Sequence, residues 1–343
     1  MKTKQIQLLL ILSVALFVSC KKEEDPEPQP DPLFTLGKTA FIMNEGTFNQ
    51  GNGEISFLNL NDLSIKNNLY GSYNSNSPLG DIAQSMTIIG DKAYVVVNNS
   101  QKIIVLSLND FKKTATISPL SSPRYLQKVA TNKAYVTDLF SNTVSIVNLA
   151  TNAVSGTIPI GNWTEQLLEQ NGKVFVTAPS TDKVYIIDPQ TDALTDSIVV
   201  SLGANSMCTD KNNNIWVFCS GSGTTHAALH CINPITGEVL KTMDAGTSTF
   251  SSGRICSNNA KDSLYYIKED VYRLSINDVT LSNTPFLLFG TSSLYGLKVK
   301  NEFVMVTDAK DFIQKGELSV YSKSGSLIKK LETGVSPSEI ILY

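Results

Sequence analysis

The chain has 343 residues, of which 42% are hydrophobic, so it is long enough to bury a sizeable core. Its 28 basic and 31 acidic residues give a formal net charge of -3. Residues 1–19 carry +2 and residues 20–36 carry -3, which leaves -2 for the rest of the chain. Neutralising a nucleic-acid backbone needs a basic stripe, and the sequence has none, so nucleic acid is excluded as an expected partner.

Residues 1–19 predict an export signal. Lys2 and Lys4 precede an apolar run over residues 6–18, which is too short for a permanent membrane-spanning helix and suits the core of a signal peptide. The run leads into FVSC at residues 17–20, which resembles the lipobox of bacterial lipoproteins. The resemblance implies that Cys20 is acylated and becomes the N-terminus of a lipid-anchored protein. The alternative is an ordinary signal peptide with an incidental Cys.

Residues 20–36 predict a tether between the anchor and a folded domain. The segment KKEEDPEPQPDP at residues 21–32 has five acids, two lysines and four prolines but no apolar side chain to bury, so it should be extended. Its acidic run at residues 22–25 resembles the surface-export signal of Bacteroidetes lipoproteins, which implies the outer membrane with the protein facing the cell exterior. A generic solvated spacer is the alternative, and it leaves the leaflet open.

Residues 37–343 repeat one unit, which is clearest at residues 132–161. There, a β-branched and aromatic run at residues 134–137 is followed by two segments that alternate apolar and polar residues. A turn at residues 148–152 joins these two segments, because its Asn residues tolerate the left-handed backbone of tight hairpins. The unit therefore predicts three antiparallel strands.

Seven copies of this unit follow one another along the chain. Their first strands contain the aromatic residues Phe41, Tyr94, Tyr135, Phe175, Trp216, Tyr265 and Phe303. The steps between them are 53, 41, 40, 41, 49 and 38 residues, which is typical of propeller blades. A fourth strand is predicted between copies, at residues 83–89, 125–129, 165–168, 206–209, 254–257, 295–299 and 338–342. The pattern predicts an all-β, seven-bladed β-propeller of four-stranded antiparallel blades, closed by the C-terminal strand completing the first blade.

The two ends of the predicted ring differ in chemistry. If the fourth strands lie nearest the axis, the meander places short Asn-, Asp- and Gly-rich turns at one end and the longer loops at the other. The longer loops carry aromatic and charged residues that turn formation does not require, as in small-ligand pockets. The candidate ligand-binding residues at this loop end are Asn44, Glu45, Phe48, Gln84, Asn98, Asn99, Arg124, Tyr125, Asp138, Phe140, Trp163, Glu165, Phe250, Arg254 and Tyr295.

Several of these candidates also have a structural explanation. Trp163 and Tyr125 could fill the wall between blades, and Arg124 could pair with Asp138 only to fix a loop. In contrast, the aromatic residues at predicted loop tips are expected to be exposed and available for binding. They are Phe48, Phe140 and Phe312.

Catalytic and metal sites are not expected. The chain has no Gly-x-Ser-x-Gly elbow and no phosphate loop, and its two histidines, His226 and His230, fall in one blade. The segment at residues 210–214 resembles the start of a calcium loop but lacks the Gly and the closing Glu. The carboxylates Glu45 and Glu165 could serve as an acid/base pair on a glycan, which keeps a lyase or hydrolase as an alternative.

Four cysteines besides Cys20 lie in predicted strands. They are Cys208, Cys219, Cys231 and Cys256. Export permits disulfides, and burial as small hydrophobic residues is the alternative. Cys208 and Cys256 fall at nearly equivalent positions of adjacent blades, and the pairing stays open.

The chain resembles known propeller families at two levels. Residues 134–137 (AYVT), 142–147 (NTVSIV) and 156–161 (GTIPIG) are similar to the YVTN-type repeat of bacterial surface-layer propellers. A closer resemblance, to surface propeller lipoproteins of gut Bacteroidetes, runs over the first half of the chain. The residues that carry it are NEG (44–46), GNG (51–53), GDIAQSM (80–86), VNNS (97–100), SPRY (122–125), YVTD (135–138) and WTE (163–165).

Members of the second group include surface proteins that capture vitamin B12 (cobalamin) and pass it to an outer-membrane TonB-dependent transporter. The resemblance implies the same function here. Separately, no cofactor is expected to be required, and the protein is expected to be a monomer. The amide side chains of cobalamin could be answered by polar residues such as Asn99 and Gln84, while its apolar edges could pack on Trp163 or Phe140. A glycan-binding or adhesive surface-layer protein is the alternative.

Overall fold

The computed structural model describes residues 33–247, 252–290 and 292–343. Over these ranges the chain forms 27 β-strands and one short α-helix. No helix among them has the length and apolar character that crossing a membrane requires. The strands form seven antiparallel sheets, which are the blades of a β-propeller. The predicted fold class and blade number are therefore confirmed, whereas Cys20 and the tether up to Pro32 lie outside the described residues.

The blades follow the order of the chain, except that the first blade also takes the last strand. Blade 1 consists of β1 (Thr39–Asn44), β2 (Glu54–Asn59), β3 (Ser64–Lys66) and β27 (Pro337–Leu342), and the helix α1 (Leu69–Tyr73) follows β3. Blade 2 consists of β4 (Ala83–Ile89), β5 (Lys92–Val97), β6 (Lys102–Ser107) and β7 (Lys113–Ile117). Blade 3 consists of β8 (Pro123–Ala130), β9 (Lys133–Asp138), β10 (Thr143–Asn148) and β11 (Ala153–Pro159).

The remaining blades contain the second half of the chain. Blade 4 consists of β12 (Leu167–Gln170), β13 (Lys173–Ala178), β14 (Lys183–Asp188) and β15 (Ala193–Val199). Blade 5 consists of β16 (Ala204–Thr209), β17 (Ile215–Cys219), β18 (Ala227–Ile232) and β19 (Val239–Gly246). Blade 6 consists of β20 (Ile255–Ser257), β21 (Ser263–Ile267) and β22 (Val271–Ser275), and blade 7 of β23 (Leu294–Lys300), β24 (Phe303–Asp308), β25 (Lys315–Ser322) and β26 (Leu327–Val335).

Burial explains the sequence pattern of the strands. The second strand from the axis lies between neighbouring blades and is covered on both faces, so β1 is buried at all six of its positions and its sequence is almost continuously apolar. The outermost strand of blade 3, β11, instead alternates between more and less exposed positions. The innermost strands are β4, β8, β12, β16, β20, β23 and β27. These correspond to the fourth strands expected from the sequence.

The ring closes through the two ends of the chain. β27 pairs antiparallel with β1, and Phe41 lies opposite Ile341. A hydrophobic cluster that includes Ile42, Met305 and Ile340 fills the junction between blades 7 and 1, as similar clusters fill the other junctions. The C-terminal strand therefore completes the first blade, as the sequence predicted.

Hydroxyl groups also connect one blade to the inner strand of the next. Thr177 on β13 donates to the carbonyl oxygen of Asn205 at 2.9 Å, and Thr307 on β24 donates to that of Pro337 at 2.6 Å. The same kind of contact runs from Ser85 to Arg124 and from Thr137 to Glu165. These hydrogen bonds fix the positions of the inner strands along the propeller axis relative to one another. They thereby also position the side chains at the first residues of these strands.

Blade 6 departs from the predicted four strands. Among the described residues it has three, and the outermost strand is missing. Its place is taken by Leu287, which forms an isolated bridge to Val271 on β22. The amides of Phe286 and Leu287 both donate to the same carbonyl oxygen, that of Val271. Pro285, which cannot donate a hydrogen bond to a ladder, precedes them, so a regular strand does not form.

Ring closure predicts that deletion of residues 337–343 will cost far more stability than the loss of seven residues ordinarily does. Removing β27 exposes the edge of β1 and opens the apolar junction between blades 7 and 1. Thermal unfolding should occur at a much lower temperature and over a broader range than in the intact protein. Deletion of residues 25–31, also seven residues long, is the control and should leave the melting curve unchanged. A truncated protein that melts like the intact one would contradict closure by β27.

Candidate functional site

Eight of the fifteen candidate residues meet where the inner strands begin, at the loop end of the propeller. They are Glu45, Gln84, Arg124, Tyr125, Trp163, Glu165, Arg254 and Tyr295. Gln84 and Arg124 are the second residues of β4 and β8, while Glu165 and Arg254 lie just before β12 and β20. The inner strands converge on the axis, so side chains from blades that are distant in sequence are brought together. We call these eight residues the mouth cluster.

The first half of the mouth cluster is organised by a buried ion pair. Arg124 donates from Nε to Glu165 Oε2 at 2.8 Å and from Nη2 to Glu165 Oε1 at 2.7 Å. Its Nη1 donates to Gln84 Oε1, and Trp163 Nε1 donates to Glu165 Oε2 at 3.3 Å. Burial by itself would lower the pKa of Arg124, but the Glu165 carboxylate outweighs this effect and raises it. Two parallel hydrogen bonds hold both side chains in one orientation.

The second half links three blades through Arg254. Its Nη1 donates to the phenol oxygen of Tyr125 at 2.6 Å, and its Nε donates to the carbonyl oxygen of Tyr295 at 3.3 Å. The phenol of Tyr295 in turn donates to Glu45 at 3.1 Å. Burial raises the pKa of both tyrosines, so the phenols keep their protons. Tyr125 therefore accepts as a neutral phenol, and Tyr295 remains a donor.

Below the mouth cluster, the inner strands enclose a cavity of about 280 Å³. Polar and charged residues that line it are Gln166, Thr209, Arg254, Ser257, Lys298, Ser338 and Glu339. Burial raises the pKa of Glu339, although Arg254 and Lys298 oppose the shift. Burial likewise raises the pKa of Glu45, against the opposing effects of Arg124 and Arg254. The cavity wall therefore combines the positive charge of Arg254 with the Glu339 carboxyl group, which resists ionisation, and Glu45 in the mouth cluster resists ionisation for the same reason.

Glu339 and Lys298 are not among the site residues predicted from the sequence. Both lie within strands that were identified only by their apolar residues, in SEIIL and LKVK. A charged residue at an alternating position of an inner strand, which should face the axis, was the signal that could have found them.

Three candidates serve the scaffold instead. Asn44 is fully buried and donates to Ser56 Oγ at 2.8 Å. Asn98 donates to the carbonyl oxygen of Pro123 at 2.9 Å, which ties blade 2 to blade 3. Asp138 accepts from the backbone amides of its own loop and of Ser122. The suggested pairing of Arg124 with Asp138 is therefore wrong, because Asp138 is occupied by backbone donors and Arg124 by Glu165.

The aromatic loop tips differ in exposure. Phe140 is 80% exposed and Phe48 is 63% exposed, as expected from the sequence. Phe312 was also expected to be exposed, but it is half-buried because its ring packs edge-on against Tyr295 at 5.4 Å. Asn99 is engaged with Asn49 at 3.0 Å and with Asp81. The remaining candidate, Phe250, lies outside the described residues.

The four described cysteines are free thiols. Cys208 and Cys256 both line the cavity, and burial raises the pKa of Cys256 to about 11. No group of three or more His, Cys, Asp or Glu side chains with the arrangement of a metal site occurs in the part of the chain that the structure describes.

Fold and site together define a seven-bladed propeller with a charged polar cluster at the mouth of its axial cavity. The family model for the domain of unknown function DUF5074 matches residues 38–334. The chain belongs to this family. No curated protein sequence matches it significantly.

Solved structures with the same fold come from several bacteria. A quinonprotein alcohol dehydrogenase-like protein from Bacteroides thetaiotaomicron VPI-5482 is 15% identical, with a TM-score of 0.69 over 89% of this chain and 78% of that one. A protein from Bacteroides fragilis NCTC 9343, provisionally described as a 6-phosphogluconolactonase, is 11% identical, with a TM-score of 0.69 over 91% and 99%. A functionally unknown protein from Desulfotomaculum acetoxidans DSM 771 is 17% identical, with a TM-score of 0.64 over 89% and 98%. At such identities the likeness shows the fold alone.

The raised pKa of Glu45 predicts how a Glu45→Gln variant responds to pH. The folded protein holds the Glu45 proton more tightly than the unfolded chain does, so protonation of Glu45 stabilises the fold. This stabilisation is complete below about pH 4.5, the ordinary pKa of the group, and is lost as the pH rises through the pKa of the folded protein. Glutamine cannot ionise and can still accept from Tyr295. The variant should therefore match the wild type in urea unfolding at pH 4 and be more stable at pH 8. Glu238→Gln, at an exposed position, is the control, and an equal gain in both variants would contradict the explanation.

Breaking the ion pair of the mouth cluster should cost far more stability than breaking a surface pair. Replacing Glu165 by Ala leaves the Arg124 guanidinium buried without its counter-ion, which costs about 3–5 kcal/mol in the free energy of unfolding. Glu302→Ala removes the partner of Lys323 in a pair whose side chains are both 67% exposed, and should cost about 1 kcal/mol or less. Chemical denaturation measures both variants. Similar losses would show that the two pairs are energetically equivalent.

Proposed function

We propose that this protein is a non-enzymatic, lipid-anchored surface protein that captures a small ligand at the loop end of the propeller. Cobalamin is the proposed ligand, and a TonB-dependent transporter of the outer membrane is the proposed recipient. The observation that carries the proposal is the combination of exposed aromatic tips, Phe48 and Phe140, with the buried polar mouth cluster. Aromatic side chains offer apolar contact area to a ligand, while a few polar groups fix its orientation.

One buried atom of the mouth cluster supports a hydrogen-bonding ligand. An arginine can only donate hydrogen bonds, so the oxygen of the Gln84 side chain must face Arg124 and its amide nitrogen must point away. That nitrogen, Gln84 Nε2, is buried and has no hydrogen-bond partner, which is costly for a donor. Gln84 is 1% exposed in the free protein, so a ligand with carbonyl acceptors, such as the amide side chains around a corrin ring, would satisfy this nitrogen once a shift of the neighbouring side chains opens it to the mouth.

The rigidity of the site also favours tight capture. The bidentate contact between Arg124 and Glu165 holds one side of the mouth, and the contacts of Asp138 with backbone amides hold the neighbouring loop. A preorganised site spends little free energy on ordering its side chains when a ligand binds. The rigid propeller ring thus strengthens binding by lowering this ordering cost, without making further contacts with the ligand.

Anchoring and delivery depend on the segment before the propeller. Acylation of Cys20 would hold the protein at the membrane, and the acidic, proline-rich segment at residues 21–32 would act as the spacer. The resemblance to cobalamin-capturing surface lipoproteins supports this arrangement and the transfer of ligand to a transporter.

Titration with cobalamin tests the proposal. Wild-type protein should change the corrin absorbance and quench tryptophan fluorescence at micromolar cobalamin. The double variant Phe48→Ser/Phe140→Ser should bind at least about tenfold more weakly, because burying one phenylalanine is worth about 1.5–3 kcal/mol. Both positions are exposed in the free protein, so the variant should fold normally.

The control is Ile235→Ser, which removes an apolar side chain that is 71% exposed in the turn between β18 and β19, at the opposite end of the ring. This variant should bind cobalamin like the wild type. If wild-type protein gives neither signal, cobalamin is not the ligand. In that case, titration of the same proteins with surface polysaccharides tests the glycan-binding alternative.

A further inference from the structure

An insertion between blades 1 and 2 forms a groove that shares no residue with the mouth cluster. The aromatic residues that mark these two blades in the sequence, Phe41 and Tyr94, are 53 residues apart, compared with 38 to 49 for the other neighbouring blades. The extra residues include α1, whose Leu69 and Tyr70 pack in the core between the two blades. Asn74 then ties the insertion to the outer edge of blade 2, since its side chain donates to the carbonyl oxygen of Phe111 at 3.0 Å and accepts from the amide of Lys113 at 2.8 Å.

The groove between the insertion and blade 2 has a volume of about 470 Å³. Its lining residues of functional interest are Tyr70, Tyr73, Lys102, Lys112, Lys113 and Thr116. None of the residues that line it, all of which the structure describes, is Asp or Glu. Three lysines and no carboxylate is an unusual wall for a chain whose net charge is -3.

Strand register explains how the lysines come to share this groove. Ile104 on β6 lies opposite Thr116 on β7, so their side chains point to the same face, as does that of Lys102 two residues earlier. A β-bulge then shifts the register, and Leu106 lies opposite Lys113 rather than opposite the residue after it. The extra residue turns Lys113 to the face that Lys102 occupies. A regular ladder would have directed Lys113 to the other side.

No acid forms an ion pair with Lys102, Lys112 or Lys113 in the part of the chain that the structure describes. Asp110 accepts hydrogen bonds from Ser107 and from the backbone amide of Lys112, at 3.2 Å, and its charge also acts on Lys112. Burial, and to a lesser extent the charge of Lys113, lowers the pKa of Lys102. A bound anion would relieve this repulsion.

We propose that the groove binds a tetrahedral oxyanion, namely a sulfate or phosphate ester carried by a soluble sugar. A lysine ammonium group is a compact positive charge with three rotatable donors, and the oxygens of such an ester can accept from it. Tyr73 is half-buried at the groove wall, with Lys66 Nζ 4.8 Å from its ring centroid and Phe111 edge-on at 6.4 Å. The exposed part of the ring can pack against the apolar face of a sugar ring. This site is independent of the ligand at the mouth cluster.

Calorimetric titration with a fully sulfated heparin tetrasaccharide at low salt tests the assignment. Wild-type protein should bind it, and Lys112→Gln/Lys113→Gln should weaken binding about tenfold or more, because two charge-assisted contacts are lost. Both lysines are exposed, so the variant should fold. The control is Lys128→Gln/Lys211→Gln, which removes the same charge from exposed positions outside the groove and should leave the affinity within about twofold of wild type.

Three results would overturn the proposal. They are the absence of wild-type binding, an equal loss in the groove and control variants, and binding only to vesicles that contain phosphatidic acid. The last result would assign the lysines to a membrane surface. Cobalamin titration of the groove variant should match the wild type, so the outcome here is separate from the outcome at the mouth cluster.

Discussion

Closure of the ring by β27 is the constraint on which the rest of the structure depends. Each blade is covered on both faces only because it has two neighbours, and blade 1 has its second neighbour only because the chain returns to it. The amide of Gly37 donates to the carbonyl oxygen of Tyr343, and the amide of Tyr343 donates to that of Thr39. Both ends of the domain are thus held in one sheet. The same strand places Glu339 in the axial cavity, so closure also supplies part of the site.

The charged residues near the axis are difficult to explain by stability alone. Removing a charge from water costs several kcal/mol, and a buried ion pair roughly recovers that cost rather than adding to it. The pair of Arg124 and Glu165 is satisfied by its own geometry, whereas Glu45 and Glu339 have raised pKa values because burial opposes their ionisation. Apolar side chains would fill an inner wall at lower cost. Clusters of perturbed groups in a cavity are typical of functional sites.

The fold by itself does not choose among functions. Propellers with the same architecture carry quite different descriptions, and the repeated part of each blade is devoted to packing. In this chain the distinctive chemistry lies in positions that the repeat does not require. These are the first residues of the inner strands, the aromatic loop tips, and the insertion that forms the lysine-lined groove.

Much of the fold could be predicted from the sequence, because propeller blades are local. Each strand finds its partner within a few tens of residues, so the spacing of Tyr94, Tyr135 and Phe175 was enough to predict blades, and the unpaired strand at each end was enough to predict closure. The irregular blade 6 was not anticipated, since it depends on how Pro285 interrupts one ladder. The loop end was also identified correctly as a polar and aromatic surface, because alternation of strand direction determines which loops lie together.

What only the tertiary structure decided was which of those residues meet. Arg124 pairs with Glu165, 41 positions away, and Arg254 contacts Tyr125, 129 positions away. Such contacts depend on the height at which each inner strand begins and on the convergence of seven blades at one axis. Neither is encoded in local periodicity. The sequence therefore determined the architecture and the end of the ring on which to look, while the contacts across the axis were settled by the geometry of the closed ring.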